Sequence, residues 1–333
     1  FDTSLINEAS FYTLRFVVNT NRNSIYEYKT IYLDPTIKEG WPQKIDVDRC
    51  RGIIGPDCFI WSGTMELVVQ DINRDGFDEI VTFLGGNPPK LYVFNHNGTL
   101  ANNWPQLIGE SEVKGGNLGP PVVGDINNDG FDEILIINPN FFNYESSLYV
   151  FNHNGTILWS VNISFDYLSN LILADLDLDG NKEIIINGMG GGRGDSPIPK
   201  MVIVDNRGRI ISSWDLERPA NLLSGRDLFL PSVGNFDNDS DLEIFTRDNV
   251  EKYRVKLSVY NMDGQEMEGW PIYLNATLFS PSAVGDVNND GYDEIIVASP
   301  SGNEYGIYIF DHEGNILDGW PRRGEFSAPS LVN

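Results

Sequence analysis

Asp71-Ile-Asn-Arg-Asp-Gly-Phe-Asp-Glu-Ile80 is the stretch that determines the fold, because closely similar stretches occur four more times along the chain. The other copies begin at Asp125, Asp175, Asn235 and Asp286, at intervals of about 50 to 60 residues. Self-similarity at this period is typical of repeat architectures, in which each copy belongs to one supersecondary unit. The 333 residues are therefore divided by their repeats and not by an average domain size.

The runs that flank each copy predict strands. In the first unit, Met65–Val69 precedes the copy and β-branched residues follow it at Ile80–Phe83. An alternating run at Leu91–Phe94 then ends in a turn closed by Gly98, and a last run leads to Trp104. Glycine is favoured in such a turn because it adopts left-handed backbone angles at little cost. Four antiparallel strands per unit, repeated around an axis, predict an all-β fold, a β-propeller of four-stranded blades.

The propeller is predicted to have six blades. Five complete units, numbered 1 to 5, occupy residues 43–105, 106–160, 161–215, 216–271 and 272–321. Residues 1–42 and 322–333 supply the two parts of the closing blade, since Phe326–Val332 matches a first strand and Tyr12–Val18 begins the remaining strands. Sharing one blade between the N- and C-terminal strands closes the ring and leaves no open sheet edge. Residues 1–333 are thus predicted to form a single propeller.

The chain is strongly acidic, with a formal net charge of -25 and a pI near 4.3. This charge disfavours nucleic acid as a partner, because binding to a phosphate backbone requires a basic surface. Runs of 18 apolar residues do not occur, so direct membrane insertion is not expected. Cys50 and Cys58 lie close together in the sequence and favour a local disulfide in an oxidising compartment; two free buried thiols are the alternative.

Oxygen-bearing side chains recur at fixed positions of the five copies, which are called metal loops 1 to 5 (residues 71–79, 125–133, 175–183, 235–243 and 286–294). They stand at positions 1, 3, 5 and 9, and position 7 offers its backbone carbonyl. Ligation by oxygen alone is typical of Ca²⁺, so about five structural Ca²⁺ ions are predicted. The predicted ligands are Asp71, Asn73, Asp75, Phe77, Glu79; Asp125, Asn127, Asp129, Phe131, Glu133; Asp175, Asp177, Asp179, Asn181, Glu183; Asn235, Asp237, Asp239, Asp241, Glu243; and Asp286, Asn288, Asp290, Tyr292, Glu294.

Acidic hairpin turns without metal are the alternative, because Asp, Asn and Gly are also the common turn residues. A turn requires only one or two such residues, however, and not oxygens at four fixed positions in five copies. An EF-hand is excluded, since it requires helices on both sides and Glu at position 12, where loop 1 has Thr82. Loop 4 is the weakest of the five, with Asn235 at position 1 and Ser240 in place of glycine at position 6.

The five copies resemble the FG-GAP or VCBS repeat, which forms the calcium-bearing blades of the integrin α-subunit propeller and occurs in many secreted bacterial and archaeal proteins. The resemblance covers residues 43–321. The endings at Gly269–Pro271 and Gly319–Pro321 are more similar to repeats found beside secreted hydrolases and surface proteins than to integrins. The resemblance implies an extracellular or cell-surface, calcium-stabilised and usually non-enzymatic recognition domain. It implies no particular ligand, because a fold does not fix a function.

The sequence argues against an enzyme. His96, His153 and His312 occupy equivalent turns of units 1, 2 and 5, so they are interpreted as repeat residues and not as one shared catalytic or metal site. The motifs Gly-x-Ser-x-Gly and His-Glu-x-x-His do not occur, and Gly188–Gly194 lacks the helix that a phosphate-binding loop requires. An acid/base pair of carboxylates stays open as an alternative in so acidic a chain.

Strand alternation predicts that the metal loops and the His turns share one rim of the propeller. The loops between second and third strands, together with the connections between blades, then lie at the other rim, called the loop 2-3 rim. Variable loops on a rigid scaffold commonly bind ligands, so this rim is predicted to bind a protein or a glycan; solvated loops without a ligand are the alternative. The candidate contacts are Phe141, Phe142, Tyr144, Arg193, Asp195, Tyr253 and Tyr305. Arg193-Gly194-Asp195 also matches a tripeptide that some integrins recognise, with chance as the rival explanation.

Sequons at Asn97, Asn154, Asn162 and Asn275 permit N-glycosylation, whereas the sequon at Asn238 lies inside metal loop 4. Taken together, these features predict an extracellular calcium-binding propeller that acts as a non-catalytic recognition or adhesion module. Three alternatives stay open. They are an accessory domain of a secreted hydrolase, a self-associating structural subunit of a cell-surface filament or layer, and a polysaccharide-cleaving propeller.

Overall fold

The computed structural model describes residues 10–19, 24–33, 67–84, 89–109, 119–140, 145–163, 165, 167–190, 198–217, 230–237, 239–251, 254–277, 282–299, 301–302 and 305–323. Within these ranges the regular structure consists of β-strands, and helices are absent from them. The all-β prediction is therefore confirmed for the part of the chain that the structure describes.

Units 1 to 4 each form one four-stranded antiparallel sheet whose strands follow chain order. They come after an N-terminal hairpin of β1 (Ser10–Asn19) and β2 (Ser24–Leu33). The strands of units 1 to 4 are β3 (Val68–Gln70), β4 (Glu79–Leu84), β5 (Lys90–Phe94) and β6 (Gln106–Leu107); β7 (Val122–Gly124), β8 (Glu133–Asn140), β9 (Glu145–Phe151) and β10 (Ile157–Asn162); β11 (Tyr167–Ala174), β12 (Glu183–Gly190), β13 (Ile198–Val204) and β14 (Ile210–Asp215); and β15 (Ser232–Gly234), β16 (Glu243–Glu251), β17 (Arg254–Tyr260) and β18 (Ile272–Leu274).

Unit 5 has a three-stranded sheet and a single bridge in place of the fourth strand. The sheet consists of β20 (Ala283–Gly285), β21 (Glu294–Ser299) and β23 (Gly306–Phe310), and the short strands β19 (Ala276–Thr277) and β22 (Ser301–Gly302) pair separately with each other. A single bridge between Ile307 and Arg322 stands where units 1 to 4 have the fourth strand. The prediction of four-stranded units is thus confirmed in units 1 to 4.

The number of blades and the closing of the ring stay predictions. Strands β1 and β2 pair with each other over ten residues each, and they have no other strand partner among the described residues. Residues 324–333, which include the predicted first strand Phe326–Val332 of the closing blade, lie outside the described residues. The fourth strands β6, β10 and β18 extend two or three residues past the predicted boundaries at 105, 160 and 271, and each is counted with the unit whose third strand it pairs with; the assignment of residues to blades otherwise stays a prediction.

The hydrophobic core lies between consecutive sheets. Successive side chains of a strand point to opposite faces, and β8 shows the consequence. Ile134 and Ile136 pack in a cluster with unit 1, whereas Leu135 and Ile137 pack in a cluster with unit 3. Two further clusters join unit 3 to unit 4 and unit 4 to unit 5. The sheets of units 2, 3 and 4 therefore pack apolar side chains on both faces, as expected for stacked propeller blades.

The first strands of neighbouring units lie side by side. A Cβ atom built on Gly234 of β15 would lie 2.4 Å from Val284 Cγ1 of β20, so the close approach of these strands requires glycine. The hydroxyls of Ser232 and Ser282 lie 3.1 Å apart across the same boundary. This side-by-side arrangement of first strands is the one expected when sheets are placed around a common axis.

In units 1, 2 and 4 a tryptophan in or just before the fourth strand binds the next unit, although the sequence predicts it at the end of that strand. Its indole Nε1 donates a hydrogen bond to the carbonyl of the turn between the third and fourth strands of the following unit. The three bonds run from Trp104 to His153 (3.3 Å), from Trp159 to Asn206 (2.9 Å) and from Trp270 to His312 (3.1 Å). The recurrence of tryptophan in the repeats therefore has a structural reason, which is the attachment of one unit to the next.

Candidate metal centre

Each metal loop folds around the oxygens of its own side chains. In loop 1 the N–H of Asp75 donates to Asp71 Oδ1 at 3.1 Å and to Asn73 Oδ1 at 2.9 Å. The N–H of Phe77 then donates to Asp75 Oδ1 at 2.9 Å. Bonds from position 5 to position 3 and from position 7 to position 5 occur in all five loops. These bonds turn the side-chain oxygens of positions 1, 3 and 5 toward the middle of the loop.

The tight winding of the loop requires left-handed backbone at two positions. In loop 1, φ is +58° at Arg74 and +90° at Gly76. Only glycine adopts such angles at little cost, which explains the glycine at position 6. Gly76 also donates its N–H to Asp71 Oδ2 at 2.9 Å, so the backbone turn and the orientation of the first carboxylate are fixed together.

The glutamate at position 9 closes every loop from the start of the second strand. One of its oxygens accepts the backbone N–H of position 2, and its side chain is at most 5% exposed in all five loops. The five bonds join Ile72 to Glu79 (3.3 Å), Ile126 to Glu133 (3.1 Å), Leu176 to Glu183 (2.9 Å), Phe236 to Glu243 (2.7 Å) and Val287 to Glu294 (2.8 Å).

Among the described residues, four of the loops contain a buried oxygen without a hydrogen-bond partner. These oxygens are Glu79 Oε1, Glu133 Oε1, Asp175 Oδ1 and Asn235 Oδ1, one each in loops 1 to 4. An unpaired buried carboxylate oxygen is costly unless a donor or a metal ion satisfies it. The unpaired atoms are all oxygens and face a loop wound around further oxygens, so the residues present fit a hard cation such as Ca²⁺.

Burial is the main influence on the pKa of the glutamates at position 9. It raises the pKa of Glu79, Glu133, Glu183 and Glu243 from 4.5 to about 7. The aspartates of the same loop raise each pKa further, whereas the hydrogen bond from position 2 lowers it. The pKa of Glu294 is raised for the same first reason. A cation bound in the loop would counter both the burial and the repulsion between carboxylates.

Loops 3 and 4 bring three carboxylates together. The carboxylate oxygens of Asp175, Asp177 and Glu183 lie within 4.8 Å of one another, and the equivalent oxygens of Asp237, Asp239 and Glu243 do so in loop 4. Loop 4 is the weakest loop by sequence, yet its acidic side chains are gathered as closely as those of loop 3. The Asp at position 3 compensates in charge for the Asn at position 1 in that loop.

The turn histidines lie against the metal loop of their own unit. His96 stacks on Phe77 at 4.2 Å between ring centroids, His153 on Phe131 at 4.4 Å and His312 on Tyr292 at 4.2 Å. In unit 3 both residues are asparagine, and Asn206 Nδ2 donates to Asn181 Oδ1 at 2.9 Å. Sequence reasoning missed this pairing, although the signal was present, because an aromatic residue at position 7 always accompanies a turn histidine. The contact also confirms that metal loops and His turns share one rim.

Several predicted site residues lie outside the described residues. These are Cys50, Cys58, Phe141, Phe142, Tyr144, Arg193, Asp195 and Tyr253, together with Asn238. The disulfide and most of the loop 2-3 rim therefore stay predictions. The described member of that rim, Tyr305, is 42% exposed, and the guanidinium of Arg323 lies 5.9 Å from the centre of its ring.

The predicted glycosylation sites that the structure describes are on the surface. Asn97, Asn154, Asn162 and Asn275 are all exposed. In the first two, the threonine hydroxyl of the sequon donates to the asparagine Oδ1, at 2.7 Å from Thr99 and 2.9 Å from Thr156. Exposure is compatible with modification, which stays a prediction.

Two segments of the chain match known repeat families. Residues 71–136 match the family described as FG-GAP-like repeat, and residues 282–310 match the family described as FG-GAP repeat. The predicted resemblance is confirmed in these segments, which contain metal loops 1, 2 and 5. FG-GAP repeats suggest a recognition or adhesion type of module, are typically non-catalytic and are typical of extracellular proteins. The search of curated proteins found no match.

Among solved structures, a chain of the crystal structure of BBS1N in complex with ARL6DN, soaked with lead, is similar with 11% sequence identity. The comparison has a TM-score of 0.34 and covers 82% of this chain and 90% of that chain.

The described residues contain no helix with the length and hydrophobicity that a membrane crossing requires.

Proposed function

We propose that the protein is an extracellular β-propeller that binds about five structural Ca²⁺ ions and serves as a non-catalytic recognition or adhesion module. The observation that carries the calcium part is the buried, unpaired ligand oxygen found once in each of loops 1 to 4. It is supported by the match of two segments to FG-GAP repeats, which often bind Ca²⁺.

The chemistry of the loops favours Ca²⁺ over other metals. The predicted ligands are carboxylate, amide and carbonyl oxygens, whereas zinc sites in proteins usually include cysteine or histidine. Mg²⁺ prefers a small octahedral site with several waters, and a nine-residue loop that supplies five oxygen-bearing positions suits the larger ion better. The ions are expected to be structural, because a loop that provides its own ligands leaves little room for a substrate.

Bound Ca²⁺ would stabilise the metal loops, the rim on which they lie and the attachment of neighbouring units to one another. The chain has a formal net charge of -25, and much of this charge is concentrated in the loops. Divalent ions would relieve the repulsion between these carboxylates only in the folded state, so binding would stabilise the fold. Ca²⁺ is thus expected to act as a folding cofactor of the propeller.

Recognition is placed on the opposite, loop 2-3 rim. The proposed ligand is a protein or a glycan, and the proposed contacts are aromatic and charged side chains of Phe141, Phe142, Tyr144, Arg193, Asp195, Tyr253 and Tyr305. Support comes from the exposure of Tyr305 and from the rigid sheets that carry these loops.

A binding screen tests the recognition part. The Ca²⁺-loaded protein would be applied to a glycan array and to a panel of secreted and cell-surface ectodomains. Any interaction found would be measured again with the variant Phe141→Ala/Phe142→Ala/Tyr144→Ala and with the control Leu100→Ala, which alters an exposed apolar residue on the metal rim outside the metal loops. We expect the triple variant to lose binding and the control to keep it. Equal binding by both would contradict the proposed rim.

A further inference from the structure

Successive metal loops are joined directly by backbone hydrogen bonds. The N–H of position 8 donates to the carbonyl of position 2 in the preceding loop at three boundaries. At the boundary of loops 4 and 5 the acceptor is the carbonyl of position 1, and Asn235 returns a bond from its N–H to Asp293 Oδ2 at 2.9 Å. The four backbone bonds join Asp132 to Ile72 (3.1 Å), Lys182 to Ile126 (3.0 Å), Leu242 to Leu176 (2.7 Å) and Asp293 to Asn235 (2.8 Å).

Both ends of such a bond belong to the framework of a metal loop. The peptide N–H of Ile126 is held by Glu133, the last predicted ligand of loop 2, at 3.1 Å. The carbonyl of Ile126 accepts from Lys182, which directly precedes Glu183, the last predicted ligand of loop 3. Glu133 and the segment that carries Glu183 are therefore connected through Ile126 alone, by one hydrogen bond to its N–H and one to its carbonyl. A change in the position of either glutamate is passed to the other loop by this connection.

A second connection runs through the tryptophans. Trp159 of unit 2 donates to the carbonyl of Asn206, and the side chain of Asn206 donates to Asn181 at position 7 of loop 3, both at 2.9 Å. In units 2 and 5 the same route passes through the stacked histidine, because Trp104 and Trp270 donate to the histidine carbonyls. Loop geometry in one unit is thus tied to the docking of the unit before it.

We infer that Ca²⁺ binding is coupled between adjacent metal loops, so that filling one loop raises the affinity of the loops in the two adjoining units and leaves non-adjacent loops unchanged. This inference rests on the proposed calcium function. The N–H and the carbonyl of one residue, Ile126, make the two bonds, so fixing the backbone of that residue in one loop orients both, and an ordered loop presents its neighbour with a preset carbonyl and glutamate. The free energy of such a coupling is reciprocal between the two sites.

The test compares two variants that each disable one loop. Asp179→Asn/Glu183→Gln removes the charge of two ligands in loop 3 while keeping their size and the acceptors for Asn181 and Leu176. Asp290→Asn/Glu294→Gln is the matched control in loop 5. Native mass spectrometry across a Ca²⁺ titration counts bound ions, and hydrogen–deuterium exchange follows protection of each loop.

Adjacent coupling predicts a specific pattern. Loop 2 should need at least about fivefold more Ca²⁺ for half-protection in the loop 3 variant and be unchanged in the loop 5 variant. Loop 4, a neighbour of both, should shift in both variants. In the unaltered protein, partly filled species should be rarer than independent sites would give.

Failure of the proposed calcium function and failure of the proposed coupling give different results. An unaltered protein that binds no Ca²⁺ overturns the proposed calcium function. A protein that binds Ca²⁺ with independent statistics, and whose loop 2 ignores the loop 3 variant, overturns the coupling and leaves the calcium function intact.

If a loop variant does not fold, a pair of tryptophan variants tests the coupling instead. Trp159→Phe removes the bond to Asn206, whereas Trp214→Phe removes an Nε1 that has no acceptor among the described residues. Both indoles pack on a turn glycine of the next unit, Gly208 or Gly264, so the lost packing is similar. Trp159→Phe should raise the Ca²⁺ concentration that half-protects loop 3, and Trp214→Phe should leave loop 4 unchanged. Equal effects in both would contradict the tryptophan route.

Discussion

The substitution Glu133→Gln should change the stability of the protein with opposite signs in the absence and the presence of Ca²⁺. Burial raises the pKa of Glu133 from 4.5 to about 7. Because the folded pKa of Glu133 lies above the ordinary value, the contribution of this carboxyl group to stability is fully present below pH 4.5. That contribution is lost as the pH rises through 7. At 1.36 kcal/mol per pKa unit, the ionised carboxylate costs the metal-free protein roughly 3 kcal/mol above pH 7.

Glutamine keeps an oxygen that can accept the N–H of Ile126 and removes the charge. At pH 8 with a chelator, Glu133→Gln should therefore raise the free energy of unfolding by roughly 1 to 3 kcal/mol. With Ca²⁺ at a thousand times the dissociation constant, a filled site contributes about 4.1 kcal/mol, which exceeds that gain and which the variant loses together with its metal ligand. The unaltered protein should then be the more stable of the two.

Urea unfolding followed by tryptophan fluorescence, at pH 5 and pH 8 and with either chelator or Ca²⁺, measures this reversal. Glu268→Gln is the control, because Glu268 is exposed in a turn and belongs to no metal loop. It should change stability little in all four conditions. A Glu133→Gln variant that is destabilised with chelator at pH 8, or that is stabilised equally with and without Ca²⁺, would refute the reasoning.

Three further predictions concern packing and charge. Gly208→Ala should destabilise by roughly 1 to 3 kcal/mol in thermal unfolding, because φ is +80° and a Cβ would lie 2.8 Å from the ring of Trp159; an unchanged midpoint would contradict it. Phe131→Ala should cost about 1 kcal/mol and weaken Ca²⁺ binding in loop 2 by calorimetry, because it removes the stack on His153; unchanged binding would refute this role. Burial raises the pKa of Asp248 from 3.8 to about 7, so stability should fall as the pH rises from 4 through 7, and Asp248→Asn should flatten that slope in denaturant titrations; an unchanged slope would contradict the assignment.

The local structure of the loops could be predicted from the sequence because its causes are local. Oxygens at positions 1, 3 and 5 accept N–H groups two to five residues further along, as between Asp71 and Gly76. Glycine at position 6 reports the left-handed backbone directly. The continuous apolar runs that follow, such as Ile134–Ile137 in the strand Glu133–Asn140, indicate sheets with two buried faces.

Contacts between units could not be predicted in the same way. The bond from Trp159 to Asn206 joins residues 47 positions apart, and tryptophan alone does not identify its acceptor. The joint replacement of histidine and aromatic residue by Asn206 and Asn181 is the one sequence signal that could have revealed a contact of this rim. The burial of the position 9 glutamates depends on the neighbouring sheets, so their raised pKa also lay beyond sequence reasoning.

The count of bound Ca²⁺ ions, together with the unfolding temperature before and after chelation, tests the central claim most directly. Native mass spectrometry of the protein in Ca²⁺ should show four or five ions, which a chelator removes with a large fall in the unfolding temperature. The sites together should contribute a free energy comparable to a typical total stability of about 5 to 15 kcal/mol. A protein that carries no metal ion, and whose unfolding temperature is the same in Ca²⁺ and in chelator, would show that the five repeats are acidic turns without metal.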